Sequence, residues 1–293
     1  MAGRKASPPN GPVRRPPIVA TATEPDHDPY RARYVAIIAD GNGRWAQSHG
    51  LSVHDGHKAG ADTLKARLRD AVELGIEELT VYSFSTENWS RPADEVQGLI
   101  AMLAQRIAQE TSELHRQKIC MRFIGRREDI PSGLVEQMHK AETITADNQR
   151  LALFIALNYG GRAEILDAAE RFTGGDEQEF RTCLYAQEMH DPDIIIRTGS
   201  ERRLSNYLLW QAAYSELIFR DEPWPDFTRQ SLLECLTEFS ERRRISRQDP
   251  LRRPNWQSPR LGRCDAADLT LNAVMMVNWG TSRRVGLRVS MSL

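Results

Sequence analysis

An acid, two glycines and an arginine follow directly on an apolar run in Val35-Ala-Ile-Ile-Ala-Asp-Gly-Asn-Gly-Arg-Trp45. Asp40 is a carboxylate suited to a divalent cation, and Gly41 and Gly43 let the backbone turn sharply and bring its N–H groups close to an anion. Arg44 adds a rigid cationic fork, so the set suits a metal-bound di- or triphosphate better than a neutral metabolite. Asp-Gly-Asn-Gly is equally the composition of an ordinary tight turn. Three more polar stretches follow apolar runs: Ser85 to Arg91, Asn158 to Arg162, and Arg197 to Ser205. They add Arg91, Arg197 and Arg203 to Arg44. Arginines set against buried strands need an anion, either a ligand or structural partners such as Glu87, Glu201 and Glu216.

The elements that must position these residues alternate in type. Val35 to Ala39 is short, bounded and continuously apolar, as expected for a strand buried on both faces. His57 to Gly75 places Leu64, Leu68, Ala71 and Val72 on one helical face, and Gly75 is a fitting stop. Further strands are expected at Glu78–Phe84, Ile119–Ile124, Leu151–Asn158, Asp193–Arg197 and Glu216–Phe219. Helices are expected at Asp94–Gln117, Ser132–Asp147, from Arg162, and from Thr228 to about Arg244. Such alternation implies a mostly parallel sheet with helices on both faces, and it brings the four polar stretches to one rim, at the carboxyl ends of their strands.

Composition sets the outer bounds. The chain has 293 residues, of which 40% are hydrophobic, enough for one large α/β domain or two small ones. The net charge of -1 hides a partition: residues 1–34 carry six Lys/Arg against three acids, and residues 250–293 carry seven against two. Residues 1–33 are rich in proline and lack a periodic apolar pattern, and the pattern dissolves again beyond Pro250, so a disordered arm and a poorly ordered basic tail are expected to flank a domain at 34–249. Cys120, Cys183, Cys235 and Cys264 have no zinc-like spacing and indicate no disulfide framework, which fits a reducing cytoplasm. The longest apolar run, Leu151–Leu157, is too short to span a bilayer, and no signal peptide opens the chain. A soluble protein is expected, with peripheral membrane contact through the basic tails and no nucleic-acid partner.

The motifs resemble those of the cis-prenyltransferases, the family of undecaprenyl diphosphate synthases. The likeness rests on Ala36–Trp45, Gly56-His-Lys-Ala-Gly60, Phe84-Ser-Thr-Glu-Asn-Trp-Ser-Arg-Pro92, Asn158-Tyr-Gly-Gly-Arg162, Arg197-Thr, Arg203-Leu-Ser-Asn206, Leu209-Trp-Gln211, Tyr214-Ser-Glu216 and Trp224-Pro-Asp-Phe227. It spans roughly residues 34–245. It implies a homodimer whose subunit has a six-stranded, mostly parallel sheet flanked by helices that enclose a hydrophobic tunnel. It also implies Mg²⁺-dependent addition of isopentenyl diphosphate to an allylic diphosphate, with farnesyl diphosphate as the expected primer. By the same resemblance Asp40 is the catalytic aspartate that handles Mg²⁺, while Gly41, Asn42, Gly43, Arg44, Trp45 and His57 hold the allylic diphosphate. Asn88 is associated with proton removal, and Ser85, Thr86, Glu87, Trp89 and Arg91 line the same pocket. Arg197, Arg203, Leu204 and Ser205 clamp isopentenyl diphosphate, and Glu216 is a second metal ligand. The faces Leu64/Leu68 and Leu99/Leu103/Ile107 are apolar enough to sleeve a prenyl chain, or simply to pack a core.

Three departures from the family pattern all concern phosphate: Val53 where an arginine is usual, Ser200 where glycine is usual, and Arg244-Ile-Ser246 where Arg-x-Gly is usual. They leave open a weakly active or non-catalytic member that serves as partner subunit or prenyl-lipid binder. An all-helical trans-type synthase is disfavoured, since no Asp-Asp-x-x-Asp motif occurs.

Overall fold

The computed structural model describes residues 31–245. Its centre is β1 (Tyr34–Ile38), which leads through α1 (Asn42–Ser48) and α2 (Val53–Glu73) to β2 (Glu78–Ser85). After the 3-10 turn Thr86–Ser90 come α3 (Ala93–Arg116), β3 (Ile119–Ile124), α4 (Ser132–Thr145), β4 (Leu151–Tyr159), α5 (Gly161–Arg171) and α6 (Glu177–Arg181). β5 (Ile194–Arg197), β6 (Glu216–Phe219) and α7 (Arg229–Ile245) complete the described chain. The sheet has six strands in the order β3-β4-β2-β1-β5-β6, all paired in parallel.

β1 is short and apolar because it is sandwiched between β2 and β5 and buried on both faces. Alternate residues serve opposite layers: Val35 and Ile37 pack with Leu68, Leu79, Val81, Ile194 and Ile196, whereas Ala36 and Ile38 pack with Ala156, Tyr207 and Leu208. The chain leaves β1 toward β2 on one side and later adds β5 on the other, so the sheet's topological switch point lies at the carboxyl end of β1, where Asp40 follows. In register, Ile38 stands beside Tyr82 and Arg197.

Most expected elements are present, and the differences have local causes. The helix expected at His57–Gly75 begins at Val53, because Ser52 and Asp55 form a reciprocal capping box that starts it a turn earlier. A separate helix, α1, occupies the stretch right after Gly41. The last three residues of the expected arm at 1–33 belong to the fold: Ala32 is buried, Arg33 bonds Glu77 and Asp193, and Arg31 donates to the Leu74 carbonyl. The rest of that arm and the tail at 250–293 lie outside the described residues, as does Ser246.

Candidate active site

Asp40 is fixed from several directions before any ligand is considered. Thr198 Oγ1 accepts from the Asp40 N–H (3.0 Å) and donates to its carbonyl (2.8 Å), and the Trp224 N–H donates to the same carbonyl at 2.8 Å. The carboxylate accepts from the Gly41 N–H (2.6 Å), from Arg197 Nη2 (2.7 Å) and, more loosely, from Arg44 at 3.4 Å. Arg197 is 4% exposed, and its other arm, Nη1, donates to Ser205 Oγ at 2.7 Å and to the Arg203 carbonyl. Its Nε, also buried, has no hydrogen-bond partner. Gly41 enables this approach: its φ is 101°, and a Cβ there would lie 2.8 Å from Pro223. No side chain caps α1, so the N–H groups of its first turn are left for another acceptor.

These groups form the mouth of one cavity of about 660 Å³. Asp40, Gly41, Asn42, Gly43, Arg44, His57, Ser85, Asn88, Arg91, Arg197 and Ser205 line its polar end, and Val53 joins them. Deeper, its wall is apolar, with Leu64, Leu68, Leu99, Leu103, Ile107, Val81, Met121, Leu153 and Ile155 from α2, α3 and the sheet. All five residues marked from the sequence as oily helix faces therefore face this space as well as the core. The ion pairs on the α2–α3 flank, Lys65 with Glu110 at 2.6 Å and Arg106 with Asp62 at 2.8 Å, carry no motif or spacing by which a sequence reading could find them.

Asn88 closes the 3-10 turn after β2. Its Oδ1 accepts from the Ser85 N–H at 2.8 Å. That bond uses one lone pair of the amide oxygen and leaves both NH₂ donors for a ligand. Arg91 pairs with Glu95 one helical turn on, at 2.8 Å. His57 is held below its ordinary value of 6.5, first by burial and then by the charge of Arg91, so it is neutral near pH 7.

Several expected site residues take other places. Trp89 packs edge-on against Phe84 and donates to Asn158 Oδ1 at 2.7 Å, so it holds the turn instead of lining the cavity. Trp45 donates to Asp226 at 2.7 Å and stacks on His49; with Arg44, Ser48, Ser200 and Asp221 it borders a separate small cleft. Thr86, Glu87, Arg203 and Leu204 do not line the cavity either: Glu87 is held by Asn206, Arg203 pairs with Glu201, and Leu204 packs on the opposite face of the sheet. Glu216 stands at the amino end of β6 beside Ile194, three residues before the level of Arg197, and pairs with Arg242 at 3.2 Å. A parallel strand thus carries it to the rim opposite Asp40 within one chain. Thr198, which the sequence marked only as the neighbour of Arg197, is the residue that pins Asp40.

An open parallel sheet with an arginine-rich mouth at its switch point, opening into an oily cavity, makes a site suited to an anionic head that carries an apolar tail. Over residues 38–246 the sequence matches the Prenyltransf (undecaprenyl diphosphate synthase) family. It is 46% identical to the isoprenyl transferase of Thermotoga maritima, over 72% of this chain and 95% of that protein. Isoprenyl transferase 2 of Bradyrhizobium diazoefficiens is 44% identical, with 77% and 94% covered. Among solved structures, lavandulyl diphosphate synthase from Lavandula x intermedia, in complex with dimethylallyl diphosphate, superimposes with a TM-score of 0.70 at 31% identity, covering 73% of this chain and 97% of that one. A probable undecaprenyl diphosphate synthase from Campylobacter jejuni gives a TM-score of 0.62 at 27% identity, with 71% and 94% covered. The chain belongs to the cis-prenyltransferase family and is an isoprenyl-transferring enzyme.

Proposed function

We propose that this enzyme adds isopentenyl diphosphate units in cis to an allylic diphosphate, with farnesyl diphosphate as primer, and releases a polyprenyl diphosphate such as undecaprenyl diphosphate. The observation that carries this is the junction, in one cavity of about 660 Å³, of an anion-binding mouth with an apolar interior. A neutral small substrate would not need buried Arg197, and a soluble phosphate would not need the oily wall. The allylic diphosphate bound by the lavender enzyme supports the same substrate class.

Mg²⁺ fits the mouth. Asp40 offers a partly exposed carboxylate, and among the described residues no group of three or more His, Cys, Asp and Glu forms a cage. A single carboxylate shared with substrate phosphates is the usual setting for this ion, whose charge would ease departure of the diphosphate. Arg197 and Arg44 hold and neutralise the diphosphates, since charge-assisted bonds in a water-poor pocket are strong. Asn88 orients the condensing unit as a hydrogen-bond donor, and an amide is a poor base, so the proton goes to a phosphate oxygen or a water. The growing chain advances along Leu64, Leu103 and Ile107, which makes the cavity the start of a product tunnel.

Among the described residues β6 is the edge strand next to α7, whose Arg242 bonds the Leu217 carbonyl, and this end of the sheet is where a second copy would join in a homodimer. Glu216 acts on metal only if that second copy brings it to a site. The basic excess of residues 1–34 and 250–293 would hold the enzyme against an anionic membrane, and among the described residues no helix is long and apolar enough to cross one. The deciding experiment incubates the enzyme with farnesyl diphosphate and labelled isopentenyl diphosphate, with and without Mg²⁺, and resolves product length. Absence of any elongated product with Mg²⁺ present would overturn the proposal.

A further inference from the structure

Asn206 lies outside the cavity, yet three polar segments of the rim meet on it. Its φ of 63° puts it in the left-handed region, where asparagine is among the few tolerated residues. From there its carbonyl accepts from the Gly161 N–H at 2.7 Å, and its side-chain Oδ1 accepts from the Arg162 N–H at 2.8 Å. Gly160, which caps α5, has no side chain to satisfy that turn, so Asn206 supplies the cap from a distant loop. Its remaining group, Nδ2, donates to Glu87 Oε1 at 2.8 Å, on the turn that carries Asn88. Gly160 is needed for the convergence, because a Cβ there would lie 2.6 Å from Thr86 Oγ1 and 2.8 Å from Asn206 Nδ2. The preceding residue is Ser205, whose hydroxyl holds Arg197 and whose carbonyl accepts from Tyr82 at 3.4 Å.

We infer that Asn206 is a positioning residue that assembles the isopentenyl diphosphate half of the site, by locking the Ser205 loop to both the Asn88 turn and the start of α5. The inference rests on the substrate assignment proposed above. Glu87 is the partner that this role requires. Burial disfavours its charge, but hydrogen bonds led by that of Asn206 outweigh the effect and keep its carboxyl below the usual range, hence ionised and an acceptor. The allylic side of the mouth, built by Asp40 to Arg44 and His57, has no bond to Asn206.

The test exchanges hydrogen-bond polarity. Asn206→Asp keeps the bond to Arg162 but sets a carboxylate against Glu87, and Asn206→Asp/Glu87→Gln restores a donor and an acceptor with the roles reversed. A lost charge-assisted bond corresponds to about tenfold or more. Asn206→Asp should therefore raise the KM for isopentenyl diphosphate by about that factor while the KM for the allylic substrate stays within about twofold. The double variant should recover most of the loss. An unchanged KM for isopentenyl diphosphate, an equal rise in both KM values, or no recovery in the double variant would each overturn the inference. Hydrogen exchange at the Arg162 amide, whose acceptor is the Asn206 side chain, reads the clamp without substrate. Protection there should fall in Asn206→Gly, which keeps the left-handed backbone but lacks the side chain, and unchanged protection would also overturn the inference. If the parent enzyme made no product, the exchange result would still decide the clamp, while the function proposal alone would fail.

Discussion

Replacing Asp40 by asparagine separates the metal role proposed for this carboxylate from its contact with Arg197. The family resemblance makes Asp40 a metal ligand. In the structure it is also the counter-charge of Arg197, whose side chain is 5% exposed. Without it, Arg197 keeps only the neutral acceptors Arg203 O and Ser205 Oγ, and its Nε is already without a partner. Breaking a fully buried pair costs about 3–5 kcal/mol, and losing one charged hydrogen bond about 1.5–3 kcal/mol. Because the Asp40 side chain is 30% exposed, water can repair part of the loss, and a cost of about 2 kcal/mol is expected. For a domain of this size that lowers Tm by about 4–8 °C. Turnover should fall by at least about a hundredfold, as when one electrostatic stabiliser of a transition state is removed. The third consequence is of opposite sign. With the acid gone, a pyrophosphate ion meets an uncompensated arginine and no repelling carboxylate, so without metal the variant should bind it better than the parent. Thermal scanning in a chelator, with inorganic pyrophosphate titrated in, should show the larger rise in Tm for Asp40→Asn. A variant as stable as the parent, or one with an equal or smaller pyrophosphate shift, would refute the role of Asp40 as the counter-charge of Arg197.

Val53 is 46% exposed at the polar end of the cavity, so Val53→Arg should lower the KM for farnesyl diphosphate by about tenfold, with that for isopentenyl diphosphate unchanged, in steady-state kinetics. Leu103→Trp fills part of the apolar wall and should shorten the longest product on chain-length analysis; an unaltered distribution would show that the chain does not run along α3. The folded pKa of His57 lies below 6.5, so below that pH the unfolded chain takes up a proton the fold refuses. Stability should therefore fall as pH drops through 6.5 toward the folded value, and His57→Gln should flatten this limb in acid-side denaturation curves. Removing residues 1–30 and 250–293 should abolish salt-sensitive binding to anionic vesicles, at about 1 kcal/mol per basic residue near the surface, and full retention in sedimentation would exclude a role for the tails.

The alternation of strands and helices, the parallel sheet and the placing of four polar stretches on one rim were legible in the chain. Those properties depend on apolar periodicity and on the direction of parallel strands, both of which are local or topological. The metal role of Glu216 came from the family resemblance alone, and the same rule puts that residue, which begins a parallel strand, on the far rim of its own subunit. Trp89, Glu87 and Arg203 share motifs with site residues, and a motif does not say which way a side chain turns on a 3-10 helix or a loop with positive φ. Sequence by itself determined which residue types stand at the sheet's switch point, an acid, two glycines and an arginine. Only the tertiary structure decided that Arg197 is buried against Asp40 and that Asn206 joins three segments far apart in sequence. Such bonds depend on distances set by packing across strands, where a shift of an ångström makes or breaks a hydrogen bond.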